Sequence, residues 1–170
     1  MTARVLVAGL GNIFLGDDGF GAEVARRLAT ASLPDWVQVA DYGTSGMHLM
    51  YDLADGFDTV ILIDAAPRGG EPGAVYLLEL DPADHRPAQG DAEPGSAVSP
   101  FFDAHGMQPD VVLGMLGVLG GQTHRILVVG CEPASTDYGI GLSEPVAAAV
   151  DTAVTMVTDL VSASTARPEL

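Results

Sequence analysis

Short apolar runs, each closed by glycine or an acid and separated by segments of helical periodicity, constrain this chain more than any other feature. Arg4-Val-Leu-Val-Ala-Gly9 is the first of them. It is rich in β-branched residues and too short for a helix, so it predicts a buried strand. A helical pattern follows over about 21–31, with Val24, Ala25 and Leu28 on one face and Glu23, Arg26 and Arg27 on another. Leu33-Pro34-Asp35 ends it. Val37–Ala40 predicts a second strand that stops at Asp41, and Thr44 or Ser45 can cap a helix running through about Leu53. Thr59–Ile63 is the clearest central strand and ends on Asp64; Val75–Leu80 and Arg125–Val129 are the fourth and fifth. A closing helix is expected from Pro145 to about Val161, with 162–170 as a frayed tail. Strands alternating with helices imply an α/β fold, a mostly parallel sheet covered on both faces, in a single domain over 1–161.

The segment from Asp81 to Pro100 differs from its surroundings: acids, prolines and small residues without periodicity. A loop of that length inside one domain points to function. Asp103-Ala-His105-Gly106 then leads into a helix expected over about 109–119.

Charge and cysteine content narrow the function classes. Seven Lys and Arg against 23 Asp and Glu give a formal net charge of −16. Such a surface repels nucleic-acid backbones and anionic lipid, and suits a basic protein partner or a metal held by carboxylates. The lone cysteine, Cys131, excludes an internal disulfide and cysteine-clustered metal sites; a small buried apolar role outweighs a nucleophilic one. The N-terminal apolar run is too short for a signal-peptide core, and no later stretch of membrane-spanning length is free of charge, so a cytoplasmic protein is expected.

In folds of this class ligands collect at the carboxyl ends of the strands. Asp41, Asp64 and the Asp17-Asp18 pair all fall there. Each acid alone is most simply a cap for the element that follows. His105 shifts the balance, because two carboxylates and an imidazole leave open positions on a transition metal. His48, His85 and His124 have no comparable placement. Gly9-Leu-Gly11 is half of a dinucleotide fingerprint, but Phe14 stands where its third glycine would fall, and Asp17 and Asp18 would oppose a pyrophosphate.

Gly9-Leu-Gly-Asn-Ile-Phe-Leu-Gly-Asp-Asp-Gly-Phe-Gly21 closely resembles the opening of the hydrogenase maturation proteases. Asp41-Tyr-Gly-Thr-Ser-Gly46, Ile63-Asp-Ala65, Asp103-Ala-His-Gly106, Gly130-Cys-Glu-Pro133 and Gly139-Ile-Gly-Leu-Ser143 continue the resemblance in order, from about Val5 to Val161. It implies a three-layer α/β/α sandwich on a five-stranded, mostly parallel twisted sheet. It also implies a metal-dependent endopeptidase, of aspartic or metallo type, that removes the C-terminal extension of a nickel-loaded [NiFe] hydrogenase large-subunit precursor. The family's metal-binding trio carries over to Asp18, Asp64 and His105, with the nickel supplied by the precursor or another divalent metal in its place. Relatives often have Glu where Asp18 stands, one methylene longer. Asp41 matches a further acid of the family pattern, and Asp41 or Asp17 is the expected general base. Two other readings stay open: a non-catalytic, nickel-checking chaperone of the same precursor, and a nucleotide-binding module.

Overall fold

The computed structural model describes residues 4–80 and 125–165. Among them the elements run β1 (Val5–Leu10), α1 (Phe20–Ala29), β2 (Val37–Gly43), α2 (Gly46–Ala54), β3 (Thr59–Ala65), β4 (Val75–Leu80), β5 (Arg125–Cys131) and α3 (Glu144–Thr165), with a 3-10 turn at Gly16–Gly19 between β1 and α1. The expected loop over 81–100, His105 and the helix over 109–119 lie outside the described residues.

The strands form one five-stranded sheet in the order β2-β1-β3-β5-β4. All pairs are parallel except β4 with β5. The central strands are apolar on both faces because both faces are buried. Val5, Val7, Ile61, Ile63, Leu127 and Val129 point to one side, where they meet α1 and α3. Leu6, Ala8, Val60, Leu62, Ile126 and Val128 point to the other, where they meet Leu49 and Leu53 of α2. Alternation of this kind follows from the two-residue period of a strand.

α1 buries Phe20, Val24, Ala25 and Leu28, spaced three and four apart as an amphipathic helix requires. Each of its large apolar side chains contributes about 1.5–3 kcal/mol by leaving water. α1 also comes unusually close to the sheet. A Cβ on Gly21 would lie 2.4 Å from both the Ile63 and the Leu10 carbonyl oxygens, and one on Gly9 would lie 2.4 Å from the Gly21 carbonyl oxygen. The glycines of the first motif therefore set the distance between helix α1 and the ends of β1 and β3. α3 is long and apolar enough to span a membrane by length and composition. It instead lays Val146, Ala149, Val150, Ala153, Val157 and Val161 on the sheet, as a core helix does.

Several boundaries differ from the sequence expectation. β2, β3 and β5 each run at least two residues further, to Gly43, Ala65 and Cys131, because backbone pairing continues past the apolar runs, through Asp41, Asp64 and Gly130. α3 continues to Thr165, so 162–165, expected in the tail, are helical. The run Val161-Ser-Ala-Ser-Thr165 contains neither glycine nor proline to stop it.

β1 connects through α1 to β2 on one side, while β2 connects through α2 to β3 on the other side of β1. The chain thus reverses direction across the sheet at β1 and β3. That switch point opens a crevice outside the carboxyl ends of these two strands, where folds of this kind bind ligands.

Candidate active site

Asp18 and Asp64 meet at the switch point. Asp64 sits in the last turn of pleat of β3, one residue beyond the Gly9–Ile63 pair, and is 6% exposed. Its Oδ1 is fully buried and finds no hydrogen-bond partner among the described residues. Burial pushes its carboxyl well above the ordinary range; the Asp18 charge adds to the rise, against a lowering by the Ala65 backbone N–H. Asp18, also buried, lies in the 3-10 turn that follows β1, and its Oδ2 accepts the Asn12 backbone N–H at 2.7 Å. Gly11 makes this turn fit. Its φ is +119°, and a Cβ there would stand 2.0 Å from the Asp18 carbonyl oxygen.

Asp17, the other member of the pair, is built in differently. It is 1% exposed. One oxygen accepts the Ser143 backbone N–H at 2.6 Å. The other accepts the Ala134 N–H at 2.8 Å, the Ser135 N–H at 3.1 Å and the Ser143 hydroxyl at 2.8 Å. Burial would raise its pKa, yet the donors from Ser143, Ser135 and Ala134 outweigh it and hold the carboxyl below the usual range. The backbone reinforces this link: Asp17 N–H donates to Ser135, Gly16 N–H to Gly139, and Gly139 N–H to Phe14. Asp17 therefore fastens the first loop to the 134–143 loop, and the expectation of Asp17 as a general base is corrected. Oδ2 already accepts three of the four hydrogen bonds, and the donors that hold the carboxyl ionised weaken it as a base.

Asp41 is exposed at the end of β2, where it pairs with Gly9, and its Oδ1 accepts the Gly43 N–H at 2.9 Å. β1 lies between Asp41 and Asp64, and two strand spacings amount to about 10 Å. The acids therefore flank the crevice and do not share one ligand position. His105 lies outside the described residues. His48 is exposed on α2, its Nδ1 3.0 Å from the Ser45 hydroxyl that caps the helix. Cys131 is fully buried, and burial pushes its thiol up to about 11, against nucleophilic use at neutral pH.

Two residues escaped the sequence reasoning. Glu132 is 6% exposed and its Oε2 accepts the Arg68 backbone N–H at 2.7 Å. Tyr76 lies across Gly130, where a Cβ would be 2.2 Å from its ring, and donates its hydroxyl to the Ala66 carbonyl. Together they fix the loop that leaves β3 after Ala65, one residue beyond Asp64. Glu132 stands inside the Gly130–Pro133 motif, so its position was marked although its task was not.

The donor chemistry fits a divalent cation. A buried carboxylate oxygen without a partner, beside a second carboxylate, is costly unless a positive charge meets it. Among the described residues no third donor completes a cluster.

The fold and site thus define a doubly wound α/β protein with paired carboxylates at its switch point. A family model described as hydrogenase maturation protease matches residues 22–160. The hydrogenase 2 maturation protease of Escherichia coli K12 is 31% identical, over 91% of this chain and 88% of its own. Among solved structures, the hydrogenase maturating endopeptidase HybD of E. coli aligns with a TM-score of 0.74 at 28% identity, covering 95% of this chain and 93% of that one. The hydrogenase 2 maturation peptidase of Thaumarchaeota archaeon SCGC_AB-539-E09 aligns with a TM-score of 0.69 at 32% identity, covering 94% and 98%. The chain belongs to the hydrogenase maturation protease family.

Proposed function

We propose that this endopeptidase removes the C-terminal extension of a [NiFe] hydrogenase large-subunit precursor after nickel has been inserted. The observation that carries this reading is the buried Asp64 Oδ1, without a partner among the described residues, beside Asp18. The carboxylates are held ready for a cation that arrives with the substrate. Asp18, Asp64 and His105 form the set that receives the precursor's nickel. A bound divalent metal supplies Lewis-acid polarisation of a carbonyl or water. Asp18 is oriented by the Asn12 N–H, and Asp64 by its place at the end of β3, so neither has to reorganise when the metal docks. Asp41, exposed on the rim, is the candidate general base once Asp17 is occupied in holding the loops together.

The test is incubation of the purified protein with the precursor, loaded with nickel or empty, read by intact mass. Loss of a C-terminal peptide from the loaded form alone supports both the protease and its metal dependence. A stable complex of unchanged mass would instead establish a nickel-checking chaperone.

A further inference from the structure

Four large apolar side chains stand exposed on the two loops that Asp17 joins. Ile13 and Phe14 are about half exposed, Ile140 is 77% and Tyr138 90% exposed. They belong together. Leu15 and Gly139 pair as a parallel bridge, so Phe14 and Tyr138 each precede that pair by one residue. Ile13 and Ile140 line a single groove of about 520 Å³ that runs past Asp41 and along α1. A flexible loop can expose apolar residues at little consequence, but these loops are fixed by four hydrogen bonds to a buried carboxylate and by three backbone bonds. Apolar residues held outward on a rigid rim mark an interaction surface.

Charge selects the occupant. Arg26, a cation lining the groove, is engaged by Glu23 at 2.6 Å, which leaves Asp41 without a cation among the described residues, and Asp137 adds an exposed carboxylate beside Tyr138. A second copy of this chain would bring another net −16 to the contact. We propose that the Ile13–Phe14–Tyr138–Ile140 rim with its groove receives an extended segment of the precursor, apolar in sequence and flanked by basic residues. The proposal rests on the protease reading above and adds to it the residues that hold the substrate and the chemistry of what they hold.

The double variant Tyr138→Ser/Ile140→Ser tests it, with Tyr51→Ser as control. Tyr51 is 70% exposed but sits on α2. Affinity for the nickel-loaded precursor is measured by titration, cleavage by intact mass, and self-association by sedimentation. The expected result is affinity weaker by roughly tenfold or more in the double variant, in line with loss of central aromatic and aliphatic anchors, and unchanged in Tyr51→Ser. A rise in KM larger than any fall in kcat accompanies it. Equal affinity of wild type and double variant overturns the surface, while wild-type cleavage leaves the protease reading intact. A wild-type dimer that the double variant abolishes also overturns it, in favour of a second copy. Wild type that binds the precursor without cutting it overturns the protease reading alone, and the affinity comparison still decides the surface. Wild type that neither binds nor cuts overturns both.

Discussion

Asp17 and Asp64 are both buried carboxylates on the same rim of one sheet, and their surroundings are opposite. Asp17 accepts four hydrogen bonds from the 134–143 loop and is held ionised below the usual pKa range. Asp64 keeps an oxygen without a partner among the described residues, and burial with the Asp18 charge drives its carboxyl the other way. A protein stabilises itself by satisfying a buried charge; it holds one unsatisfied where something else is to bind. The first carboxylate builds the rim and the second waits on it.

Removing each acid sharpens the contrast. Asp17→Ala strips the partner from three part-buried backbone N–H groups and a hydroxyl, and is expected to cost about 4 kcal/mol in urea unfolding, since hydrogen bonds to a charged group contribute on the order of 1.5–3 kcal/mol each when buried and less when water reaches the donors. A loss below about 1 kcal/mol would show that Asp17 is not the anchor described. Gly21→Ala drives a methyl group into the Ile63 and Leu10 carbonyls and pushes α1 from the sheet. It is expected to cost about 3 kcal/mol and to impair processing as well, because Ile63 directly precedes Asp64.

Asp64→Asn has the opposite sign. It removes a charge that burial disfavours, so the metal-free protein is expected to gain about 1 kcal/mol at neutral pH while losing precursor processing. The pH dependences of the two acids diverge in consequence. Asp17 has a depressed folded pKa, so its contribution is complete above the unfolded value of about 3.9 and disappears as pH falls through the folded one. Asp64 has a raised folded pKa, so wild type and Asp64→Asn converge below that unfolded value and separate as pH rises through the folded one. Unfolding free energies of wild type and both variants across the acid range check this; parallel curves would contradict it. The smallest effect is expected for Cys131→Ala, about 1 kcal/mol from one lost buried sulfur, with processing retained.

The same contrast explains how much was legible in the sequence. The β1, β3 and β5 cores could be read because they are buried on both faces, so their apolar runs are continuous. The ends of β2 and β3 could not, because Asp41 and Asp64 continue the backbone pairing while breaking the apolar pattern. Nothing in Val75–Leu80 shows that β4 runs antiparallel at the edge, since strand direction is decided by the connection before it. Asp17 and Asp18 are adjacent and chemically identical. Which one is consumed structurally depends on Ser143, 126 residues away, and only the folded chain brings it there. Spacing could place a pair of acids at the site but could not divide their labour.

The most direct test of the account compares wild type with Asp64→Asn on the nickel-loaded precursor, with intact mass as the readout and thermal unfolding measured on the same samples. Asp64→Asn is expected to be at least as stable as wild type and to leave the precursor at full length. Processing by Asp64→Asn at the wild-type rate would contradict it.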